Sequence, residues 1–310
     1  MRALVTGGAG FIGSTLADAL VAEGHEVTVV DDLSRGRREN VPAAARLEVV
    51  DITSSALSAA IRQARPEVVF HQAAQIDVRR SISDPILDAR VNVVGTVNVM
   101  QACVDAGARR LVFASSGGAI YGDSDLLPTP EDYPARPASF YGAAKQCAEI
   151  YGGVFSQLYG LEFVALRYAN VYGPRQDPHG EAGVVAIFAG RLLHGEQPVI
   201  NGDGTQTRDY VYVDDVVQAI LRAMDTKVVG AYNVGTARET DVNTILQVLA
   251  RTCSSSITPR RGPAKTGEQQ RSCLDIRRAA RHLGWSPAVS LEEGLQRTVD
   301  WFLARSRQSA

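Results

Sequence analysis

Tyr141-Gly142-Ala143-Ala144-Lys145 sets a phenol and an ammonium at i and i+4, neighbours on one face of a helix. A tyrosine with its ordinary pKa of about 10 is a poor base at neutral pH. A lysine cation beside it, joined by a positive nicotinamide ring, favours the phenolate and moves it towards the working range. Alone, this spacing also describes an ordinary surface pair. A second constellation gives it context. Gly7-Gly8-Ala9-Gly10-Phe11-Ile12-Gly13 follows an apolar run and opens a helical one, satisfying both G-x-G-x-x-G and G-x-x-G-x-x-G. Glycines there permit a tight turn and close backbone approach to a pyrophosphate, and a helix N-terminus supplies free N–H groups. Asp31 follows where the next strand should end, placed to accept from a ribose 2′-hydroxyl and to repel a 2′-phosphate. That selects NAD. Arg35, Arg37 and Arg38 lie just beyond and would suit a 2′-phosphate, so NADP is the competing reading.

The elements that must carry these residues are legible as a rhythm. Near-continuous apolar runs at 2–6, 26–31, 47–51, 67–71, 110–115 and 163–168 read as strands buried on both faces. Helical stretches at 12–22, 55–64, 85–106 and 141–159 separate them. Such alternation predicts an α/β fold, a Rossmann-like doubly wound parallel sheet, over residues 1–172. From 173 to 310 turn-rich segments interleave short strands (198–200, 210–213, 231–234) with helices near 214–225, 240–252, 275–283 and 290–304. This predicts a smaller C-terminal α/β substrate-binding lobe, interleaved with the first sheet. Asp214 and Asp215 precede an apolar helical run and read as N-caps.

Composition removes several classes. In 310 residues, 32 Lys and Arg against 34 Asp and Glu leave a formal charge of −2, without the basic excess of a nucleic-acid binder. With 45% hydrophobic and 21% charged residues the chain has the means to fold, and no apolar run approaches membrane-spanning length. Neither a signal-peptide h-region nor C-x-x-C spacing occurs; Cys103, Cys147, Cys253 and Cys273 are scattered, so a cytoplasmic setting is expected. Asp177, His179 and Glu181 sit in a Pro/Gly turn and read as a solvated loop, so no metal is expected.

Several motifs together resemble the extended short-chain dehydrogenase/reductases, and among them the UDP-sugar 4-epimerases. They are Thr6 to Gly13, Ser115-Ser116 with Tyr121-Gly122, Tyr141 to Lys145, Arg167 to Pro174, and Arg208-Asp209-Tyr210. The resemblance implies that Tyr141 takes the sugar O4 proton while hydride leaves C4 for NAD. A 4-keto intermediate then turns over and receives hydride on its other face. Lys145 would bind nicotinamide ribose and tune Tyr141. The family's usual Ser or Thr, four residues before Tyr121, is Gly117 here, so Ser115, Ser116 or a water takes its place. Related 4,6-dehydratases carry Asp-Glu at the next two positions and decarboxylases keep the Glu; this chain has Gly118 and Ala119. Redox reversal at one carbon is the chemistry that survives.

The same resemblance assigns binding residues one by one. Gly7, Gly10, Phe11, Ile12 and Gly13 form the phosphate loop. Asp31 and Asp32 match the adenosine-ribose region, Asp51 and Ile52 the adenine pocket, Ala73 and Ala74 the wall near the NAD phosphates, and Tyr168 a further cofactor position. Asn92 matches a family position of unassigned share. Asn170 resembles the diphosphate contact, and Val184 and Val185 the start of the uridine-covering segment. Arg208 and Glu268 look like the phosphate and uridine-ribose contacts, with Arg271 a second cation and Lys265 where an arginine is usual. Arg191 could pair with a C6 carboxylate, and small Ser272 stands where some relatives place a tyrosine. UDP-glucose/UDP-galactose leads, followed by UDP-glucuronate/UDP-galacturonate and then UDP-N-acetylglucosamine. A catalytically silent NAD-binding regulator and a net dehydrogenase are the alternatives. The helices at 85–106 and 141–159 pair between subunits in many relatives, which implies a homodimer.

Overall fold

A computed structural model describes residues 1–178, 183–264 and 269–308. Seven parallel strands form the central sheet: β1 Arg2–Thr6, β2 Glu26–Asp31, β3 Arg46–Val49, β4 Val68–His71, β5 Arg110–Ser116, β6 Glu162–Tyr168 and β7 Gly230–Val234. Their order is β7-β6-β5-β4-β1-β2-β3. The order reverses between β1 and β4, which opens a crevice at their C-terminal ends. One sheet face buries Leu16, Leu20, Phe70 and Ile220, and the other buries Leu57, Ile61, Met100 and Phe163. A separate core of Phe188, Ile245, Leu249 and Leu295 holds the C-terminal lobe.

Four differences from the sequence expectations have physical causes. The strand expected at 47–51 stops at Val49, because the Asp51 carboxylate accepts the Thr53 N–H at 2.7 Å and turns the chain. The run 231–234, expected in the small lobe, is the edge strand β7, paired with β6 and beyond the reach of local pattern. The single helix expected over 85–106 is three pieces: Pro85–Ala89, a π-helical turn Arg90–Gly95, and Thr96–Ala106. Gly95 fits this wide turn against Ile52, whose Cδ1 would lie 2.8 Å from an added Cβ. Asp214 and Asp215 are in the first turn of helix Val213–Asp225, two and three residues past the cap position at Tyr212. Buried Asp215 accepts the Ala288 and Val289 N–H groups at 2.9 and 3.1 Å, so it tethers a distant loop.

The crevice is lined by a buried polar chain. His71, fully buried at the end of β4, pairs its Nδ1 with Thr6 Oγ1 at 2.7 Å and its Nε2 with Thr96 Oγ1 at 3.0 Å. Thr96 Oγ1 donates to the Asn92 carbonyl, so His71 Nε2 carries the hydrogen and Nδ1 accepts from Thr6. Burial, and then the Lys145 charge, push the imidazole down to about 3. An unfolded His71 takes a proton near its ordinary pKa of about 6.5, while the folded one refuses it until about 3. Its contribution to stability is therefore intact above about 6.5 and lost as the pH falls through that window, at up to about 1.4 kcal/mol per pH unit. Denaturant midpoints measured from pH 7 to 4 should fall more steeply for the wild type than for a folded His71→Gln variant; equal slopes would contradict this assignment.

Candidate active site

The site is built where β5 ends. Ser116 leads into the short helix Gly117–Ile120, and helix Phe140–Tyr159 crosses it. That second helix starts at Ser139, whose hydroxyl accepts the Gly142 N–H at 3.1 Å. Gly142 is the residue that permits the crossing, since a Cβ there would stand 2.3 Å from the Ala119 carbonyl oxygen. Close approach of the two helices brings the Tyr141 phenol beside Ser116, whose hydroxyl favours the phenolate.

One turn on, Lys145 is 3% exposed. Its Nζ donates to the Ala114 carbonyl at 2.8 Å and lies 4.7 Å from the Phe113 ring centroid and 5.6 Å from that of Tyr141. Burial pulls the ammonium down to about 8, against the opposing charges of Asp88 and Glu149. Tyr141 moves the other way from the sequence expectation. Burial, then the Asp88 charge, push its phenol up to about 12, and the Ser116 hydrogen bond opposes them in part. The protein's own groups therefore keep the phenol neutral, and Lys145 alone does not make it a base.

Ser115 and Ser116 point to different neighbours, as successive strand residues must. Ser115 Oγ donates to Glu149 Oε1 at 2.6 Å, and Glu149 is paired with Arg167 at 2.6 Å. Ser115 thus belongs to a structural ion pair, while Ser116 reaches the phenol. Gly117 is explained by a neighbour: an added Cβ would meet Leu274 Cδ1 at 2.6 Å. At Gly118 the nearest atom to an added Cβ is Asn170 Oδ1, 3.9 Å away.

The glycine loop has the form an anion-binding turn requires. Gly7 is in the left-handed region at φ +70°, and an added Cβ would lie 2.6 Å from the Ala73 nitrogen. At Gly13 an added Cβ would sit 2.2 Å from the Gly7 carbonyl oxygen. Helix Phe11–Ala22 begins after Gly10 with no side-chain cap and no acidic residue in its first turn. Its free N–H groups therefore face whatever occupies the loop, and a pyrophosphate fits them. Asp31 ends β2 with its two oxygens accepting the Ala9 and Leu33 N–H groups, both at 2.9 Å, which ties it to the loop. Asp32 accepts from the Ser34 N–H and hydroxyl. Ile52 is buried against Gly95, with Asp51 exposed beside it. Ala73 and Ala74 continue from β4, and Phe11 and Ile12 pack on the C-terminal core. Tyr168 donates to Gln72 Oε1 at 3.4 Å, while Gln72 Nε2 is buried with no protein partner. These residues fit a dinucleotide.

On the substrate side, strand Asn170–Tyr172 pairs with Tyr210–Tyr212, which brings Asn170 and Arg208 to one edge of the crevice. Val184 and Val185 open helix Val184–Leu193, the latter fully inside the lobe core. Arg191 lies in that helix's last turn and donates to the Gln197 carbonyl at 3.0 Å; the structure does not bring it to Tyr141. Arg271 is held by Glu239, with Nε to Oε1 at 2.9 Å. Ser272 is buried, and Glu268, Lys265, His179 and Glu181 lie outside the described residues. Among the described residues no group of three His, Cys, Asp or Glu could hold a metal ion, and no helix is long and apolar enough to cross a membrane.

Sequence reasoning missed Asp88 and Glu149, the two carboxylates whose charge Lys145 feels. Glu149 stood four residues after Lys145 and was legible from helical spacing. Asp88 is brought in by tertiary packing and left no local signal.

The whole chain has close relatives. It is 49% identical over 313 residues, covering 99% of this chain and 100% of the relative, to the UDP-glucose 4-epimerase of Mycolicibacterium smegmatis. Two solved structures superpose along the full length. UDP-glucose 4-epimerase of Thermotoga maritima, with UDP-glucose, is 45% identical with a TM-score of 0.95, over 99% of this chain and 100% of that one. UDP-glucose 4-epimerase of Thermus thermophilus, with NAD, is 46% identical with a TM-score of 0.93, over 98% and 99%. Residues 3–235 carry the family match itself, and with the tyrosine, lysine and glycine loop placed as described the chain belongs to the NAD dependent epimerase/dehydratase family.

Proposed function

We propose that this protein is an NAD-dependent UDP-sugar 4-epimerase that interconverts UDP-glucose and UDP-galactose. One observation carries the reaction type. The strand end places Tyr141 beside Ser116, and the two positions after Gly117 are Gly118 and Ala119, with no carboxylate at either for eliminating water or handling a carboxyl group. Substrate identity is supported by the relatives named for UDP-glucose, one of them holding it. Arg191 donates to the Gln197 carbonyl from the last turn of its helix, so the UDP-glucuronate reading gains no support from it. Residues 1–172 hold the dinucleotide and 173–310 shape the sugar-nucleotide pocket, with 213–234 lent to the first sheet.

NAD held by the Gly7–Gly13 loop and Asp31 would supply reversible hydride chemistry at C4 of the sugar. Tyr141 takes the O4 proton and gives it back, and Ser116 relays between phenol and sugar hydroxyl. Burial holds the phenol at about 12, so a positive nicotinamide ring beside it would be needed to complete the base. Lys145, held by Ala114, supplies the second cation. Asn170 and Arg208 grip the diphosphate, with Arg271 a second cation; Glu268, expected at the uridine ribose, lies outside the described residues. Arg208 supplies local positive charge, so a near-neutral chain suffices for an anionic substrate. The exposed apolar face of helix Phe140–Tyr159, with Ile150, Val154 and Leu158, continues on Ile86 and Val94 and supports a homodimer. Four free cysteines support a cytoplasmic setting.

Three outcomes are expected. Tyr141→Phe should abolish C4 inversion of UDP-glucose followed by anomeric proton signals, while UDP-glucuronate and UDP-N-acetylglucosamine turn over more slowly in the wild type. Full activity in the phenylalanine variant would sink the mechanism. Gly13→Ala should weaken NAD binding by at least about a hundredfold, roughly 3 kcal/mol, by titration calorimetry. Unchanged affinity would mean the loop is not the phosphate site. Sedimentation should show a dimer that Ile150→Asp with Val154→Asp turns into a monomer; a wild-type monomer would refute the interface.

A further inference from the structure

Asp88 is 1% exposed, on the short helix Pro85–Ala89 that packs against the helix of Tyr141 and Lys145. Its Oδ1 accepts from Gln75 Nε2 and Asn92 Nδ2, both at 2.9 Å. Asn92, in the π turn, closes the clamp. It accepts the Gln75 N–H at 2.9 Å and donates to the Gln75 carbonyl at 2.8 Å. Asp88 Oδ2 is fully buried and has no partner in the structure.

The unused oxygen makes this residue more than a structural tie. Clamping Gln75 and Asn92 needs one acceptor oxygen, which a neutral asparagine would supply equally well. Burial raises the Asp88 carboxyl, and the hydrogen bonds from Gln75 and Asn92 and then the Lys145 charge work to keep it ionised. A charge buried with half its acceptor capacity unmet is expensive, so it requires an explanation. The groups that feel it are the Tyr141 phenol and the Lys145 ammonium. The other ionisable neighbours are already committed. Glu149 is paired with Arg167, His71 is neutral, and the Tyr168 hydroxyl is engaged with Gln72.

We propose that Asp88 is a positioning residue for the Tyr141–Lys145 pair: its carboxylate charge keeps Lys145 cationic inside the protein and fixes the pH range in which the pair exchanges a proton with the sugar hydroxyl. The proposal rests on Tyr141 being the proton acceptor. A negative charge makes proton loss harder for both groups, so removing it lowers both. The acid limb, where Tyr141 must lose a proton, and the basic limb, where Lys145 must keep one, both move to lower pH.

The test is the pH profile of kcat for UDP-glucose epimerisation by the NAD-loaded enzyme carrying Asp88→Asn. Both limbs should shift down by about one pH unit or more. A lower kcat with both limbs unmoved would overturn the proposal, since a broken clamp slows the enzyme alike at every pH. Asp88→Glu restores the charge and should return both limbs to within a few tenths of a unit of wild type, whatever its kcat. Limbs displaced in the glutamate variant would also overturn it, including where the asparagine variant does not fold. Activity surviving in Tyr141→Phe would instead remove the site reading on which the proposal stands.

Discussion

A lysine ammonium held almost entirely out of water is the constraint around which this active site is arranged. Bringing Lys145 from its ordinary pKa of about 10.5 to about 8 leaves the ammonium roughly 3 kcal/mol less favoured than it is in water. What opposes this is specific: the Ala114 carbonyl at 2.8 Å, the Phe113 ring face, and the negative charges of Asp88 and Glu149. Glu149 is in turn held by Arg167, whose guanidinium also donates to the Tyr121 hydroxyl and the Glu131 carbonyl. The cation is thus fixed to three elements of the nucleotide-binding half. Tyr141, one turn earlier on the same helix, inherits its position from it.

The phenol shows why the pair is incomplete alone. Burial raises tyrosine and lowers lysine for the same reason, because both charged forms lose solvation. In the chain by itself these effects keep the phenol neutral. A positive nicotinamide ring, carried by a dinucleotide whose pyrophosphate the glycine loop holds, would change the balance, and the topology puts that loop nearby. The sheet order reverses between β1 and β4, and the loop after β1 lies against Ala73 at the end of β4. The nucleotide loop and the proton-transfer pair therefore share one crevice.

Much of this was legible in the chain itself. Buried parallel strands read as continuous apolar runs, and the glycine loop and the tyrosine–lysine spacing are local features. What escaped was set by tertiary context. The π turn at 90–95 keeps the composition of an ordinary helix, and its widening follows from the contacts of Asn92 and Gly95 with Gln75, Asp88 and Ile52. Ser115 and Ser116 are identical as letters and were separated by the two faces of a strand. Leu274, far along the chain, fills the space a side chain at Gly117 would need. Arg271, read as a substrate cation, is held by Glu239, a partner no spacing revealed.

In the proposed reaction hydride leaves and returns to the same carbon within one site, and Tyr141 handles only the hydroxyl proton. The most direct measurement is the fate of deuterium placed at C4 of UDP-glucose during turnover in ordinary water, read by NMR of the UDP-galactose formed. Product that keeps its deuterium at C4 is expected. Product with ordinary hydrogen at C4 would show that the carbon exchanges with solvent and would contradict this mechanism.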